Sequence, residues 1–157
     1  MTDDTTKVIE VTKEGLEELK TELQELEEIK LPEVVERVAR AREFGDLSEN
    51  SEYHSAREDQ QLIQTRIDEI QEVIANAKVV RSSKSKDKVT IGSHVEVKEG
   101  RKTHSLHIVG EFEADGTGDK ISATSPVGKA LLGKKKGDTI LVNTPGGEKK
   151  LEITTIN

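Results

Sequence analysis

Two helical heptad runs separated by a short polar turn constrain this chain more than any other feature. The second run, Ala56, Gln60, Ile63, Ile67, Ile70, Ile74 and Ala77, advances in alternating steps of four and three. That is the spacing of a coiled-coil seam. The first run begins as Leu16, Leu19, Leu23 and Leu26, skips one residue, and resumes as Leu31, Val34, Val38 and Ala41, with Pro32 at the skip. Residues 44–50, FGDLSEN, join the two runs. A connection this short makes successive helices antiparallel neighbours, so the pattern predicts a helical hairpin. Thr12 suits the N-cap of the first helix, which should run to about Glu43, with Gly45 as its stop signal. The second helix should run from about Leu47 to Ala77. At ~1.5 Å per residue such an arm is roughly 45–50 Å long. Pro32 has no amide hydrogen and should kink or interrupt the first helix.

After residue 80 the pattern changes. Residues 81–88, RSSKSKDK, read as a polar linker. From Val89 the apolar period is two: residues 94–98, 105–109, 139–143 and 151–156 alternate as half-buried strands. Pro145-Gly146-Gly147 is a hairpin turn between the last two. Ser125 as N-cap, Pro126 at the first helical position and Gly133 as stop predict one short helix among them. The expected architecture is α+β: a coiled-coil hairpin over residues 1–80, with its tip at 44–50, a linker over 81–88, and a small antiparallel sheet domain with one short helix over 89–157. Residues 1–11, including the polar Thr2–Thr6, read as a loose start.

Charge divides the same way. Residues 1–80 hold 10 Lys/Arg and 21 Asp/Glu, whereas residues 81–157 hold 14 and 10. A net charge of −11 on the arm argues against ordinary duplex binding. The chain contains no cysteine, which excludes disulfides and thiolate metal sites. No apolar run is long enough for a membrane span or a signal peptide, so a soluble cytoplasmic protein is expected. Phe44, Tyr53 and Phe112 are the only aromatic residues, too few for a base-stacking platform.

The turn carries the most chemistry. Asp46 and Glu49 have the spacing of a capping box, Asp46 as N-cap and Glu49 three residues on. They are also two hard oxygen donors at an exposed end. Such a pair suits Mg²⁺ only when other ligands complete the shell, so it fits a metal site shared with a partner. Arg37, Arg40, Arg42 and Arg57 form a basic collar below the tip. They can pair with neighbouring Glu residues or guide a nucleic-acid backbone without reading its sequence. Gly128 to Lys134 has P-loop spacing, but Lys135 stands where Ser or Thr is needed and the intervening residues favour a helix. His104 and His107, three apart on a strand, face opposite sides. His54 and His94 have no partner at ligand spacing.

Residues 41–58, AREFGDLSENSEYHSARE, resemble the signature of the Gre transcript cleavage factor family, of the GreA type. Residues 121–134, ISATSPVGKALLGK, with Gly137-Asp138 and residues 143–147, NTPGG, resemble its second signature. Together they cover nearly the whole chain in order and spacing. Ser48 stands where some members carry a basic residue, and Thr124 where others have Asn or Asp. The resemblance implies a transcription elongation factor. Its coiled coil would enter the secondary channel of bacterial RNA polymerase, and its FKBP-like domain would dock at the channel rim through Ser125 and Pro126. Asp46 and Glu49 would help hold an active-site Mg²⁺ of the polymerase, with no cofactor bound by the factor alone. Arg37, Arg42, Arg57 and Tyr53 would face the 3′ end of backtracked RNA, which the polymerase then cleaves. The resemblance implies a monomer that is not itself an enzyme. The alternative within the family is an inhibitor of the same channel, and both tip carboxylates weigh against it. A peptidyl-prolyl isomerase is a third reading, and the scarcity of aromatic residues after Tyr53 weighs against that.

Overall fold

The computed structural model describes residues 7–46, 49–81 and 86–157. Thr2–Thr6, the expected helix start at Leu47, the Ser48 departure and the centre of the expected linker, residues 82–85, lie outside them. The chain forms two compact units. One contains Glu17–Asn76, and the other contains residues up to Leu16 together with Ala77–Asn157.

The first unit is the helical hairpin. Helix α1 (Lys13–Glu25) passes through a π-helical turn, Leu26–Lys30, into α2 (Leu31–Arg42), and α3 (Ser51–Asn76) returns. Leu19, Leu26, Val34, Val38 and Ala41 are buried on the outgoing strand of the hairpin, and Ala56, Ile67, Ile70 and Val73 on the returning one. The one-residue skip in the heptads now has a structural cause. Leu26 and Val34, both buried, stand eight residues apart instead of seven. An α-helix would rotate everything beyond the extra residue off the seam. The π-turn absorbs it: the Leu31 N–H closes on the Leu26 carbonyl, five residues back. Pro32 follows directly, inside the first turn of α2. Its missing donor therefore coincides with a local loosening of the ladder, and the helix continues through it. Arg66 of α3 reaches back to Glu22 of α1 with two parallel bonds of 2.8 and 3.0 Å, and Gln71 reaches Glu27 at 2.8 Å. These tie the two arms of the hairpin together. Near its end α3 buries Val73 where the heptad reading places Ile74, which is half-buried.

The second unit holds two sheets. Residues 9–11 are strand β1 (Ile9–Val11), contrary to the expected loose start, and they pair in parallel with β2 (Ala77–Val79). Ala77, the expected last seam residue, is therefore the first residue of a strand. The larger sheet has the order β5-β4-β3-β7-β6, built from β3 (His94–Glu99), β4 (Lys102–Val109), β5 (Lys120–Ser122), β6 (Thr139–Thr144) and β7 (Gly147–Ile156). It is mixed where an antiparallel sheet is expected, because β5 pairs with β4 in parallel. β5 is three residues long and only half-buried, so it leaves no alternation to detect. The four expected strands are present, and the expected turn consists of Pro145 and Gly146, with Gly147 already paired to Thr144 as the first residue of β7. In β7 the buried positions run Leu151, Ile153, Ile156, a step of two and then of three. A β-bulge opposite Glu96 absorbs the extra residue and keeps Ile156 on the core face.

Helix α4 (Pro126–Leu131) caps this core. The Ser125 hydroxyl accepts the Gly128 N–H at 3.0 Å and donates to the Ser122 carbonyl at 2.7 Å. A Cβ on Gly128 would lie 2.0 Å from that carbonyl oxygen, so only glycine permits the contact. The segment with P-loop spacing is thus a packed helix, as its composition suggests.

One buried carboxylate organises the junction of β1, α1 and the β4–β5 connection. Glu113 accepts the Thr12 N–H at 2.9 Å, the Gly110 N–H at 2.8 Å and the Thr12 hydroxyl. Thr12 in turn caps α1, its hydroxyl oxygen accepting the Gly15 N–H at 3.0 Å. A Cβ on Gly15 would sit 1.7 Å from a Glu113 oxygen. Gly15→Ala must therefore displace a hydrogen-bonded, buried carboxylate, and is expected to cost about 2 kcal/mol in chemical denaturation. In a Glu113→Ala background the same substitution should cost at least about 1 kcal/mol less, since the obstructing group is gone.

His94 and His107 face each other across β3 and β4, ring centroids 4.0 Å apart and nearly parallel, a pairing the sequence reading does not anticipate. Burial lowers the His107 pKa from its ordinary value, and His94 and Lys120 act in the same direction, against Glu113 and Glu14. The folded protein thus resists protonating this ring while the unfolded chain accepts a proton near pH 6.5, so stability is lost as pH falls below that value. Between about pH 7.5 and about pH 5.5, the drop in melting temperature should be smaller for His107→Gln than for the unmodified chain.

Candidate functional site at the hairpin tip

The tip is built from the ends of α2 and α3. Helix α2 frays into a turn, with the Glu43 N–H on the Arg40 carbonyl and the Phe44 N–H on the Ala41 carbonyl at 3.1 and 3.3 Å. Gly45 then takes φ +101°, a conformation that residues with a Cβ resist. The chain can therefore leave the helix axis at once and present Asp46.

The sequence reading assigns the cap of the second helix to Asp46, with Glu49 completing a capping box. The structure assigns it to Asn50, four residues later. The Asn50 Oδ1 accepts the Tyr53 N–H at 3.0 Å, and α3 begins at Ser51. Asn is as good an N-cap as Asp, so propensity alone does not separate the candidates. The hairpin register does, because the Asn50 Nδ2 also donates to the Ala41 carbonyl across the neck at 2.7 Å. Asp46 and Glu49 consequently lie outside the helix, and both are exposed.

The arginine collar is not uniform. Arg37 bridges to α3, with Nε on Glu52 at 2.8 Å, Nη1 on Asp59 at 2.7 Å and Nη2 on the Ser55 hydroxyl at 3.3 Å. Each of its three guanidinium nitrogens thus has a partner on α3. Arg40 leans on Glu36 at 3.9 Å. Arg42 lies 5.8 Å from the centre of the Tyr53 ring, a cation–π arrangement. Arg57 bonds Gln60 at 2.8 Å and remains exposed. Phe44 is 82% exposed, so one aromatic face does stand at the tip. Asn50 and Phe44 are the two tip residues whose position only the fold reveals. Ser125 and Pro126 belong to the other unit, where the Ser125 hydroxyl serves its helix and Pro126 is exposed. Among the described residues no three His, Asp or Glu side chains group as metal ligands would, and no helix is long and apolar enough to cross a membrane.

Comparison with known proteins accounts for both units. Residues 9–79 match the family described as transcription elongation factor, N-terminal, and residues 84–157 the family described as transcription elongation factor, GreA/GreB, C-terminal. The chain belongs to the GreA/GreB family of transcription elongation factors. It is 41% identical to transcription elongation factor GreA of Thermotoga neapolitana over 96% of this chain and 97% of that one. It is 46% identical to GreA of Acidiphilium cryptum over 93% and 95% of the two chains. For GreA of Bacillus velezensis the identity is 44%, over 96% and 98%.

Since Asn50 and not Asp46 caps α3, Asp46→Asn should leave stability within about 0.5 kcal/mol of the unmodified chain, measured by thermal denaturation.

Proposed function

We propose that this chain stimulates cleavage of backtracked RNA by bacterial RNA polymerase, its hairpin entering the secondary channel and its tip acids completing a Mg²⁺ site there. The observation that carries this reading is the division of labour at the tip. Asn50 performs the capping, and Asp46 and Glu49 stay exposed outside the helix.

Two carboxylates suit Mg²⁺, which prefers hard oxygen ligands and retains several waters. They do not make a complete shell, which fits a metal whose remaining ligands come from the polymerase and the RNA phosphate. That metal would supply activation of a water for phosphodiester hydrolysis. The factor contributes ligands and placement and has no active site of its own. The 26 residues of α3 extend roughly 39 Å, a reach that suits action inside a deep channel. Arg42, Arg57 and Tyr53 would contact the extruded RNA backbone, where cationic contacts position without specifying sequence. Arg37 has the weaker claim to that role, because Glu52 and Asp59 hold it. Pro126, exposed at the start of α4, is assigned with Ser125 to docking on the polymerase.

Asp46→Asn or Glu49→Gln should abolish stimulated cleavage in a stalled, backtracked bacterial elongation complex while affinity for the polymerase stays within about threefold, because a rim charge adds little to a large interface. Equal loss of affinity and cleavage would remove the metal-ligand assignment. Suppressed cleavage with the unmodified chain would instead make it an inhibitor of the channel.

A further inference from the structure

We propose that Asn50 is the positioning residue of the tip, a staple that joins the end of α2 to the start of α3 and so fixes where Asp46 and Glu49 can point. This inference rests on the cleavage-factor reading above. The side chain is half-buried between exposed neighbours. Its Nδ2 donates to the Ala41 carbonyl at 2.7 Å and its Oδ1 accepts the Tyr53 N–H at 3.0 Å. One amide thereby joins the last turn of the outgoing helix, whose Ala41 carbonyl also accepts the Phe44 N–H, to a leftover donor of the returning one.

The chemistry of the site selects Asn. The bridge needs a donor and an acceptor on the same short side chain. Asp supplies only acceptors when ionised, and would turn an oxygen toward the Ala41 carbonyl. Ser caps well but does not span the neck. With the bridge closed, the backbone is held at Ala41 and at Asn50, on either side of the two acids. The Arg42–Tyr53 contact and the Arg37–Glu52 pair brace the same neck. Pinning a short loop removes conformations that the acids would otherwise sample. For groups that must meet a metal at a fixed place, that freedom is a direct loss of rate.

Asn50→Ser keeps the cap and removes the cross-neck bond, and Asn50→Asp does the same in a side chain of nearly equal size. Three measurements are made on the full chain with each variant: melting temperature, affinity for the polymerase, and cleavage rate against Mg²⁺ concentration. Melting temperature should fall by no more than about 4 °C, because the cap is kept and a single cross-neck hydrogen bond is lost. Polymerase affinity should stay within about twofold, whereas cleavage at limiting Mg²⁺ should fall at least about tenfold and half-saturation shift to higher Mg²⁺. Amide ¹⁵N relaxation of the free chain should show the order parameters of Asp46 and Glu49 falling below about 0.6, with the hairpin seam unchanged. Wild-type cleavage and Mg²⁺ dependence in both variants would overturn the proposal. So would losses of melting temperature and affinity that track the loss of cleavage, since those mark a structural role alone. Should the unmodified chain fail to stimulate cleavage, the cleavage-factor reading falls, and the relaxation data still decide on the staple: unchanged order parameters at Asp46 and Glu49 overturn it.

Discussion

Everything in this structure depends on keeping one apolar stripe in phase along each element. A helix or strand with one dry face has no tolerance for a single extra residue, because every side chain beyond it rotates or flips away from the core. The chain carries such a residue twice. In the hairpin it lies between Leu26 and Val34, and a π-turn takes it up. In β7 it lies between Ile153 and Ile156, and a bulge opposite Glu96 takes it up. Both devices leave a local irregularity in hydrogen bonding and keep the burial of everything downstream. A fully buried aliphatic side chain contributes about 1.5–3 kcal/mol, so phase over several turns outweighs one imperfect backbone bond.

The tip follows a different logic, in which a few side chains tie the two helices together. Arg37 ties α2 to α3 through two carboxylates, and Asn50 closes the neck through an amide. Neither task falls to Asp46 or Glu49. Both acids lie outside the helix, and the cap that the capping-box reading gives to Asp46 falls to Asn50. Gly45 adds the backbone geometry that lets the chain turn between the two sets of residues.

Much of this was legible in the residues. The heptads announced the hairpin, the skip announced an irregularity near Pro32, and Ser125-Pro126 announced α4. Period-two runs located four of the strands. What could not be read has physical causes. β1, β2 and β5 are three residues each, too short for alternation to register. The pairing of β5 in parallel with β4 is a matter of topology, on which local sequence is silent. The true cap was hidden among Asp46, Ser48 and Asn50, which have nearly equal propensity; a long-range contact to Ala41 decided among them. Glu113 gave no signal at all. An acidic residue in the acidic stretch 111–115 resembles any surface loop until Thr12, a hundred positions earlier, is seen to fold against it.

The short β1–β2 ladder has a consequence of its own. Ile9–Val11 and Ala77–Val79 run side by side in register, one immediately before the arm and the other immediately after it. The host unit therefore receives the hairpin as an insertion whose two ends emerge next to each other, and it closes its own sheets without reference to what lies between them. Heptads removed or added in matched pairs would change the length of the hairpin without touching the β1–β2 ladder. Length is in this sense a free parameter of the architecture, open to natural variation on a constant base.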